Sequence, residues 1–221
     1  MKIFTKKLAI VTLFLGALGI SNGNSQDNSA IFEADEVTWY GLDFTKARLV
    51  GSFTQFKDAG NKSGEDIKRN YFPGWNNVIP NEPKKYELNK FLHVNSVPIN
   101  LDLVTKYNAE VDENILYNGG AINITPQDIQ AAASKYANTG KGIGVFFLVE
   151  KFDKNEETGV VDIVYFDRAT GSVLLSDKLY GKPGGFGLKN YWIKSIYNVF
   201  DEIESKRWKT WKKDAKRKSK K

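Results

Sequence analysis

The fold is decided by residues 142–180, which read GIGVFFLVEKFDKNEETGVVDIVYFDRATGSVLLSDKLY. Residues 142–152 are apolar on both faces through the first half of the segment, as expected of a central strand that is covered on both sides. Residues 160–167 and 172–180 are typical of two further strands. The three segments together predict an antiparallel meander.

Both links between these strands carry an aspartate followed by a Thr-Gly pair. Asp153 precedes Gly159, and Asp167 precedes Gly171. A glycine at positive φ closes a hairpin of the bulged type, and an aspartate side chain accepts hydrogen bonds from the turn amides. Both links are therefore predicted to be tight hairpins.

A long amphipathic helix is predicted after the meander, over residues 188–212. Trp192, Ile196, Val199 and Ile203 recur at helical spacing and form one apolar stripe. We expect this stripe to cover one face of the sheet.

Upstream of the meander the elements are shorter. Ser63 stands three residues before Asp66, in the spacing of a capping box, so a helix is predicted to begin there. A second helix is predicted to begin at Thr125, because Thr125 can accept from the N3 amide, Pro126 suits the first helical position and Asp128 favours the positive helix end. The second helix is expected to stop near Gly140. The remaining predictions are strands at 37–42, 47–53 and 100–109, and short helical pieces at 74–79 and 84–92.

The order of these elements predicts an α+β fold. We expect an antiparallel or mixed sheet of four to six strands, with helices packed on it and the long C-terminal helix closing one face. A hydrophobic content of 41% and an aromatic content of 13% are sufficient for a sizeable core. The predicted divisions are a signal peptide (1–23), a polar leader (24–35), a single α+β domain (36–212) and a basic disordered tail (213–221).

The N-terminal segment has the pattern of an export signal. Residues 1–25 contain three lysines and no acid, and the apolar run over 8–20 is shorter than the roughly 20 residues that span a bilayer. A retained membrane anchor is the alternative. The chain has no cysteine for lipid attachment. We expect a periplasmic or secreted protein with no transmembrane segment in its mature form.

The positive net charge of +6 is unevenly distributed. Residues 206–221 contain ten Lys or Arg and one Asp, whereas residues 26–205 contain 19 basic and 25 acidic residues. The folded body is therefore mildly acidic. A nucleic-acid-binding domain carries its basic patch on the folded surface, so a nucleic-acid partner is not expected.

Composition also limits the possible chemistry. His93 is the only histidine, and a lone histidine beside a helix end is more often a capping or surface residue than a catalytic base. Zinc and copper sites favour His and Cys, so one histidine and no cysteine argue against them. No metal, cofactor or catalytic residue is indicated. Paired carboxylates form in space rather than in sequence, so a carboxylate-dependent hydrolase remains an alternative.

The segment GKPGGFGLK, at 181–189, is the first candidate site. It links a strand to a helix, where glycine amides and the helix dipole can bind an anion. A glycine-rich bend packed against the sheet is the alternative. The candidate anion- or ligand-binding residues are Gly184, Gly185, Gly187, Lys189 and Trp192.

The C-terminal region is the second candidate. Cationic residues interleaved with tryptophans suit an anionic membrane surface or an acidic glycan, and a solvated helix end is the alternative. The candidate surface-association residues are Arg207, Trp208, Lys209, Trp211 and Lys212.

Three stretches taken together carry a resemblance: WYGLDFTKARLVG at 39–51, YFDRATGSVLLSDKLYG at 165–181 and GKPGGFGLKNYWIKSIYNV at 181–199. They resemble a family of exported, functionally uncharacterised proteins of Gram-negative (Bacteroidetes-like) bacteria. The resemblance implies export and assigns no catalytic residues.

The sequence favours an exported envelope protein without enzymatic activity. Its expected partner is an envelope protein, a glycan or an anionic membrane surface. A small-molecule or anion-binding protein that uses the glycine-rich loop is the second hypothesis, and the carboxylate hydrolase is the third.

Overall fold

The computed structural model describes residues 29–53, 62–118 and 120–219. The predicted signal peptide and the first part of the predicted polar leader lie outside the described residues. Within the described ranges no helix has the length and apolar character needed to cross a membrane.

The described strands form one mixed sheet of five strands. β1 (Val37–Asp43) and β2 (Arg48–Val50) pair in parallel with β3 (Ile143–Asp153), β1 with its first part and β2 with its last residues. β4 (Thr158–Asp167) pairs antiparallel with β3, and β5 (Val173–Gly181) pairs antiparallel with β4. The predicted α+β class, the central position of β3 and the three-strand meander are confirmed.

Helices fill most of the remaining described chain. They are α1 (Ser29–Glu33), α2 (Gly64–Asp66), α3 (Phe72–Asn81), α4 (Leu88–Phe91), α5 (Asp102–Ala109), α6 (Glu113–Asn118), α7 (Pro126–Ser134), α8 (Leu188–Glu202) and α9 (Trp208–Lys218). Stretches of π-helix at Ile67–Tyr71 and Ile203–Arg207 join α2 to α3 and α8 to α9.

The larger part of the core lies between the sheet and α8. Phe147 of β3 and Trp39 of β1 have ring centroids 5.0 Å apart, edge to face, and both rings contact Phe200 of α8. All three side chains are fully buried. The prediction that the C-terminal helix covers one sheet face is therefore confirmed.

The opposite face of the sheet carries a smaller aromatic cluster. Phe146 of β3 stacks on Tyr136, just after α7, with ring centroids 4.7 Å apart. Tyr136 also contacts Tyr40 and Phe166, and its hydroxyl donates to the carboxylate of Asp43 at 2.9 Å. Because both faces are covered, β3 is apolar on both sides, as its sequence indicates.

Both predicted helix starts are confirmed, and each of them is a capping box. The hydroxyl oxygen of Ser63 accepts from the Asp66 amide, and that of Thr125 accepts from the Asp128 amide, while each aspartate accepts from the backbone amide of its cap residue. These bonds satisfy amide groups that have no partner inside the helix.

The segment 100–109, expected as a strand, is a helix instead. Asn100 accepts from the Asp102 amide at the start of α5, and Val104 and Asn108, four residues apart, are both buried. The apolar residues of LDLV suggested alternation, but the buried positions follow helical spacing. The strand prediction was wrong.

Two further boundaries differ from the prediction. Residues 29–33 of the predicted leader are helical, because Ile31 is fully buried in the core. The C-terminal helix continues to Lys218, so 213–218 are helical where a disordered tail was expected. Trp211, in contact with Tyr165 of β4, ties this last part of the helix to the sheet.

The two hairpins differ in their turn glycines. Gly171 has φ 73°, as predicted, and in both turns the aspartate accepts from backbone amides two and three residues on. In the first turn, however, Glu157 takes the left-handed conformation with φ 47°. Gly159 instead lies in β4 beside Ser195 of α8, where a Cβ atom would come within 2.9 Å of the Ser195 Cβ.

Candidate functional site: a basic groove on the C-terminal helix

The glycine-rich segment folds back on the start of α8. The Gly184 amide donates to the Tyr191 carbonyl at 3.0 Å, and the Tyr191 amide donates to the Gly187 carbonyl at 2.9 Å. Gly185 and Gly187 have φ values of 99° and 81°, which glycine adopts readily. The segment therefore forms a bend that packs against its own helix.

Two of the candidate binding residues in this segment point to different environments. Lys189 is exposed, and its carbonyl accepts from the Trp75 indole N–H at 3.0 Å. Trp192 is fully buried and lies between the rings of Phe53 and Phe152, at centroid distances of 5.5 and 4.7 Å. The structure does not bring Lys189 and Trp192 together around a cavity.

The two tryptophans of the C-terminal candidate face inward. Trp208 is 6% exposed and Trp211 is 8% exposed. The Trp208 ring stacks on His93 with centroids 5.0 Å apart, and the Trp211 indole N–H donates to Asp177 at 2.9 Å. Neither ring is available for insertion into a lipid surface.

Arg207 is also committed to contacts within the fold. Its guanidinium donates to Glu202 at 2.8 Å and lies 3.5 Å from Asp177. The hydrogen bond to Glu202 raises the pKa of Arg207. Of the five C-terminal candidates, Lys209 and Lys212 are left on the exposed side of the helix.

Lys209 and Lys212 belong to a larger cationic feature, which we call the basic groove. It has a volume of about 550 Å³, and the two lysines line it together with His93 and Trp208. The full lining is His93, Trp208, Lys209, Lys212, Lys213, Lys216 and Arg217.

The charges of the basic groove are largely uncompensated. Arg217 has an exposed partner in Asp214 at 3.6 Å, whereas no ion pair to a carboxylate is found within the described ranges for Lys209, Lys212, Lys213 or Lys216. These four lysines follow the spacing i, i+3, i+4 and i+7, so they share one helix face. Like charges at this spacing destabilise a helix, and a bound anion removes that repulsion.

The sequence interpretation found only part of this groove. The candidates from the sequence were residues that alternate with tryptophan. In the structure, Lys213, Lys216 and Arg217 line the groove together with Lys209 and Lys212. The helical spacing of the lysines was the signal in the sequence. His93 could not have been assigned, because it is 115 residues away from Trp208 in the chain.

His93 has a positional role at the edge of the groove. It has φ 54° and lies in the turn directly after α4, and its Nε2 lies 3.2 Å from the Glu204 carbonyl oxygen. The stacking of its ring on Trp208 holds α4 against the C-terminal helix.

A buried carboxylate pair lies elsewhere, on the sheet. Glu150 and Asp162 are 6% and 3% exposed, and Lys178 pairs with both. Burial raises the pKa of the Asp162 carboxyl to about 6. Neither acid lines any of the clefts at the β5–α9 junction, at the ends of β2 and β3, between α3 and α5, and at the basic groove.

Three of those clefts lie away from the basic groove. One of about 440 Å³ lies between β5 and α9, one of about 510 Å³ lies at the ends of β2 and β3, and one of about 350 Å³ lies between α3 and α5. No cluster of three or more His, Cys, Asp or Glu residues suited to a metal ion occurs in the described chain.

Comparisons of the chain with protein-family models, with curated proteins and with solved structures found no significant match. The function is therefore argued from the geometry of the clefts and the charges that line them.

Proposed function

We propose that this chain is an exported, non-enzymatic binding protein whose basic groove binds an acidic glycan. The observation that carries the proposal is the row of Lys209, Lys212, Lys213 and Lys216 on one helix face, with no carboxylate partner for any of them within the described ranges. An extended polyanion supplies the missing counter-charges at several points along the helix.

An acidic glycan suits this groove better than a membrane surface does. A helix that binds in a bilayer interface buries an exposed apolar face among the lipids. Here Trp208 and Trp211 are turned into the core, so the surface offers cations without an apolar anchor. Export, which is supported by the pattern of residues 1–25, places the protein where envelope polysaccharides occur.

The test compares two variants of equal net charge. In the first, Lys209, Lys212, Lys213 and Lys216 are changed to Gln. In the matched control, four exposed lysines outside the groove are changed to Gln, namely Lys84, Lys106, Lys141 and Lys182. Binding of each protein to immobilised polygalacturonate is measured at low and at moderate salt, with neutral dextran as the blank.

We expect the groove variant to bind about 10- to 100-fold more weakly than the wild type at low salt, because several unscreened attractions are lost. The control variant should lose much less affinity for polygalacturonate, because its four changed lysines lie outside the groove and act on the ligand only through the net charge of the protein. Binding of the wild type should fall as salt shortens the screening length to about 10 Å near 0.1 M. Equal losses in the two variants would show that net charge rather than the groove governs binding.

The wild type is also compared on vesicles of neutral and of anionic lipid. Retention on anionic vesicles but not on polygalacturonate would replace the glycan by a membrane surface. Export is tested separately by sequencing the N-terminus of the protein recovered from cells, where a start between residues 20 and 26 is expected. An intact Met1 in the membrane fraction would mean that the segment anchors the protein.

A further inference from the structure

A second cleft, distinct from the basic groove, lies where two parallel strands end. β2 and the last residues of β3 run side by side, with Arg48 opposite Lys151 and Val50 opposite Asp153. Ligand sites in sheets with parallel strands are commonly found at the carboxyl ends of those strands. The cleft here has a volume of about 510 Å³.

The lining of this cleft combines cations with an apolar wall. Arg48 and Lys151 contribute positive charge, whereas Leu49, Leu116 and Ile122 contribute apolar surface. The remaining lining residues are Val50, Gly51, Tyr117, Gly120, Ala121 and Asp153.

The acid in the cleft is already engaged. Asp153 accepts from the amides of Asn155 and Glu156 in the hairpin turn and pairs with Lys151 at 2.9 Å. Arg48 has no ion pair to any carboxylate of the described residues. Its Nη1 donates only to the carbonyls of Lys46 and Ala47, at 3.2 and 2.9 Å. The guanidinium charge is therefore not neutralised within the described fold.

Two hydrogen-bond donors of the cleft residues have no acceptor among the described residues. They are the Arg48 Nε–H and the Tyr117 hydroxyl, and both atoms are buried. Burial also raises the pKa of the Tyr117 hydroxyl to about 12, so it keeps its proton. Buried donors without acceptors are uncommon in native structures, and each one calls for an explanation.

We infer that this cleft binds a small carboxylate with an apolar body. The carboxylate would accept from the guanidinium of Arg48 and the hydroxyl of Tyr117, a pairing that a planar guanidinium favours. Because both donor atoms are covered in the unliganded fold, the two side chains would turn toward the cleft on binding. The apolar body would lie against Leu49, Leu116 and Ile122. A site of this kind does not depend on the basic groove.

The probes are sodium hexanoate and benzoate, with acetate, inorganic phosphate and hexylamine for comparison. Binding to the full chain is measured by calorimetry and by the shift in thermal unfolding temperature. We expect hexanoate and benzoate to bind at least about 10-fold more tightly than acetate, since burial of apolar surface adds to the ionic contact. Phosphate and hexylamine should bind still more weakly.

Tyr117→Phe is the decisive variant, because it removes a hydroxyl that has no hydrogen-bond partner in the described part of the chain. It should fold with unchanged or higher thermal stability and bind hexanoate about 3- to 10-fold more weakly. Arg48→Met should weaken hexanoate binding by about 10-fold or more. Arg69→Met, at an exposed arginine, is the matched control and should bind as the wild type does.

The variant with four groove lysines changed to Gln should retain full affinity for hexanoate, which separates this site from the basic groove. Absence of hexanoate and benzoate binding at about 10 mM would overturn the inference. Equal affinity for hexylamine and hexanoate, or Tyr117→Phe and Arg48→Met variants that bind as the wild type does, would also overturn it.

Discussion

Asp162 provides the sharpest prediction about stability, because its replacement is expected to stabilise the protein. Its carboxyl is buried on the sheet, and its Oδ2 lies 3.4 Å from Lys178 Nζ and accepts no hydrogen bond from the described residues. Lys178 keeps a second partner in Glu150. We expect Asp162→Asn to remove a poorly compensated buried charge without leaving Lys178 unpaired.

The magnitude follows from the pKa of this residue. Burial raises the pKa of Asp162 from 3.8 to about 6 in the folded protein, so folding favours the protonated acid. Its contribution to the free energy of unfolding is therefore greatest below pH 3.8 and falls as the pH rises toward 6. Such a difference in pKa corresponds to about 3 kcal/mol at pH 8 and about 1 kcal/mol at pH 4.5.

The assay is urea-induced unfolding of the wild type and of Asp162→Asn at pH 4.5 and pH 8. The stability of the variant relative to the wild type should be about 2 kcal/mol more favourable at pH 8 than at pH 4.5. Asp201→Asn, at an exposed aspartate of α8, should show no such change. If the free energy of unfolding of Asp162→Asn differed from that of the wild type by the same amount at both pH values, the reasoning would be refuted.

Two further predictions concern the core. Asn76→Ala should lower the free energy of unfolding by about 2–4 kcal/mol, because it removes the acceptor of the buried Leu42 amide, at 2.7 Å, and a donor to the Leu42 carbonyl. Urea unfolding of this variant is compared with that of Asn89→Ala, at an exposed asparagine. Equal unfolding midpoints for the two variants would contradict the prediction. Trp192→Ala should lower the free energy of unfolding by about 3–5 kcal/mol, since the ring fills the space between Phe53 and Phe152. An unchanged midpoint of thermal unfolding would contradict the packing of that face of α8.

The sequence determined those parts of the fold whose cause is local. Ser63 and Thr125 are caps because the aspartate that completes each box is three residues away. Asp153 and Asp167 mark hairpins because their side chains reach the turn amides two and three residues on. β3 could be recognised because a strand with both faces covered is apolar throughout.

The sequence-based predictions were wrong where a segment fits two kinds of local structure and contacts with residues distant in sequence select one of them. Residues 100–109 fit either a strand or a helix, and the buried amide of Asn108, which bonds to Leu42 and Phe44 of the β1 region, favours the helix. The C-terminal helix extends to Lys218 because Trp208 and Trp211 find partners on α1 and the sheet. Their alternation with lysine indicated an exposed aromatic surface, which the packing rules out.

The charge asymmetry, the absence of cysteine and the single histidine can be read from the sequence alone, since they depend on which residues are present. The proposal of export likewise rests on the pattern of residues 1–25 alone. The two candidate sites required the tertiary structure. The basic groove depends on which side of the helix packs inward, and the carboxylate cleft joins Arg48 to Tyr117 and Lys151. Residues so far apart in the chain meet only because the parallel pairing of β2 with β3, together with the packing of the intervening helices, brings them to one end of the sheet.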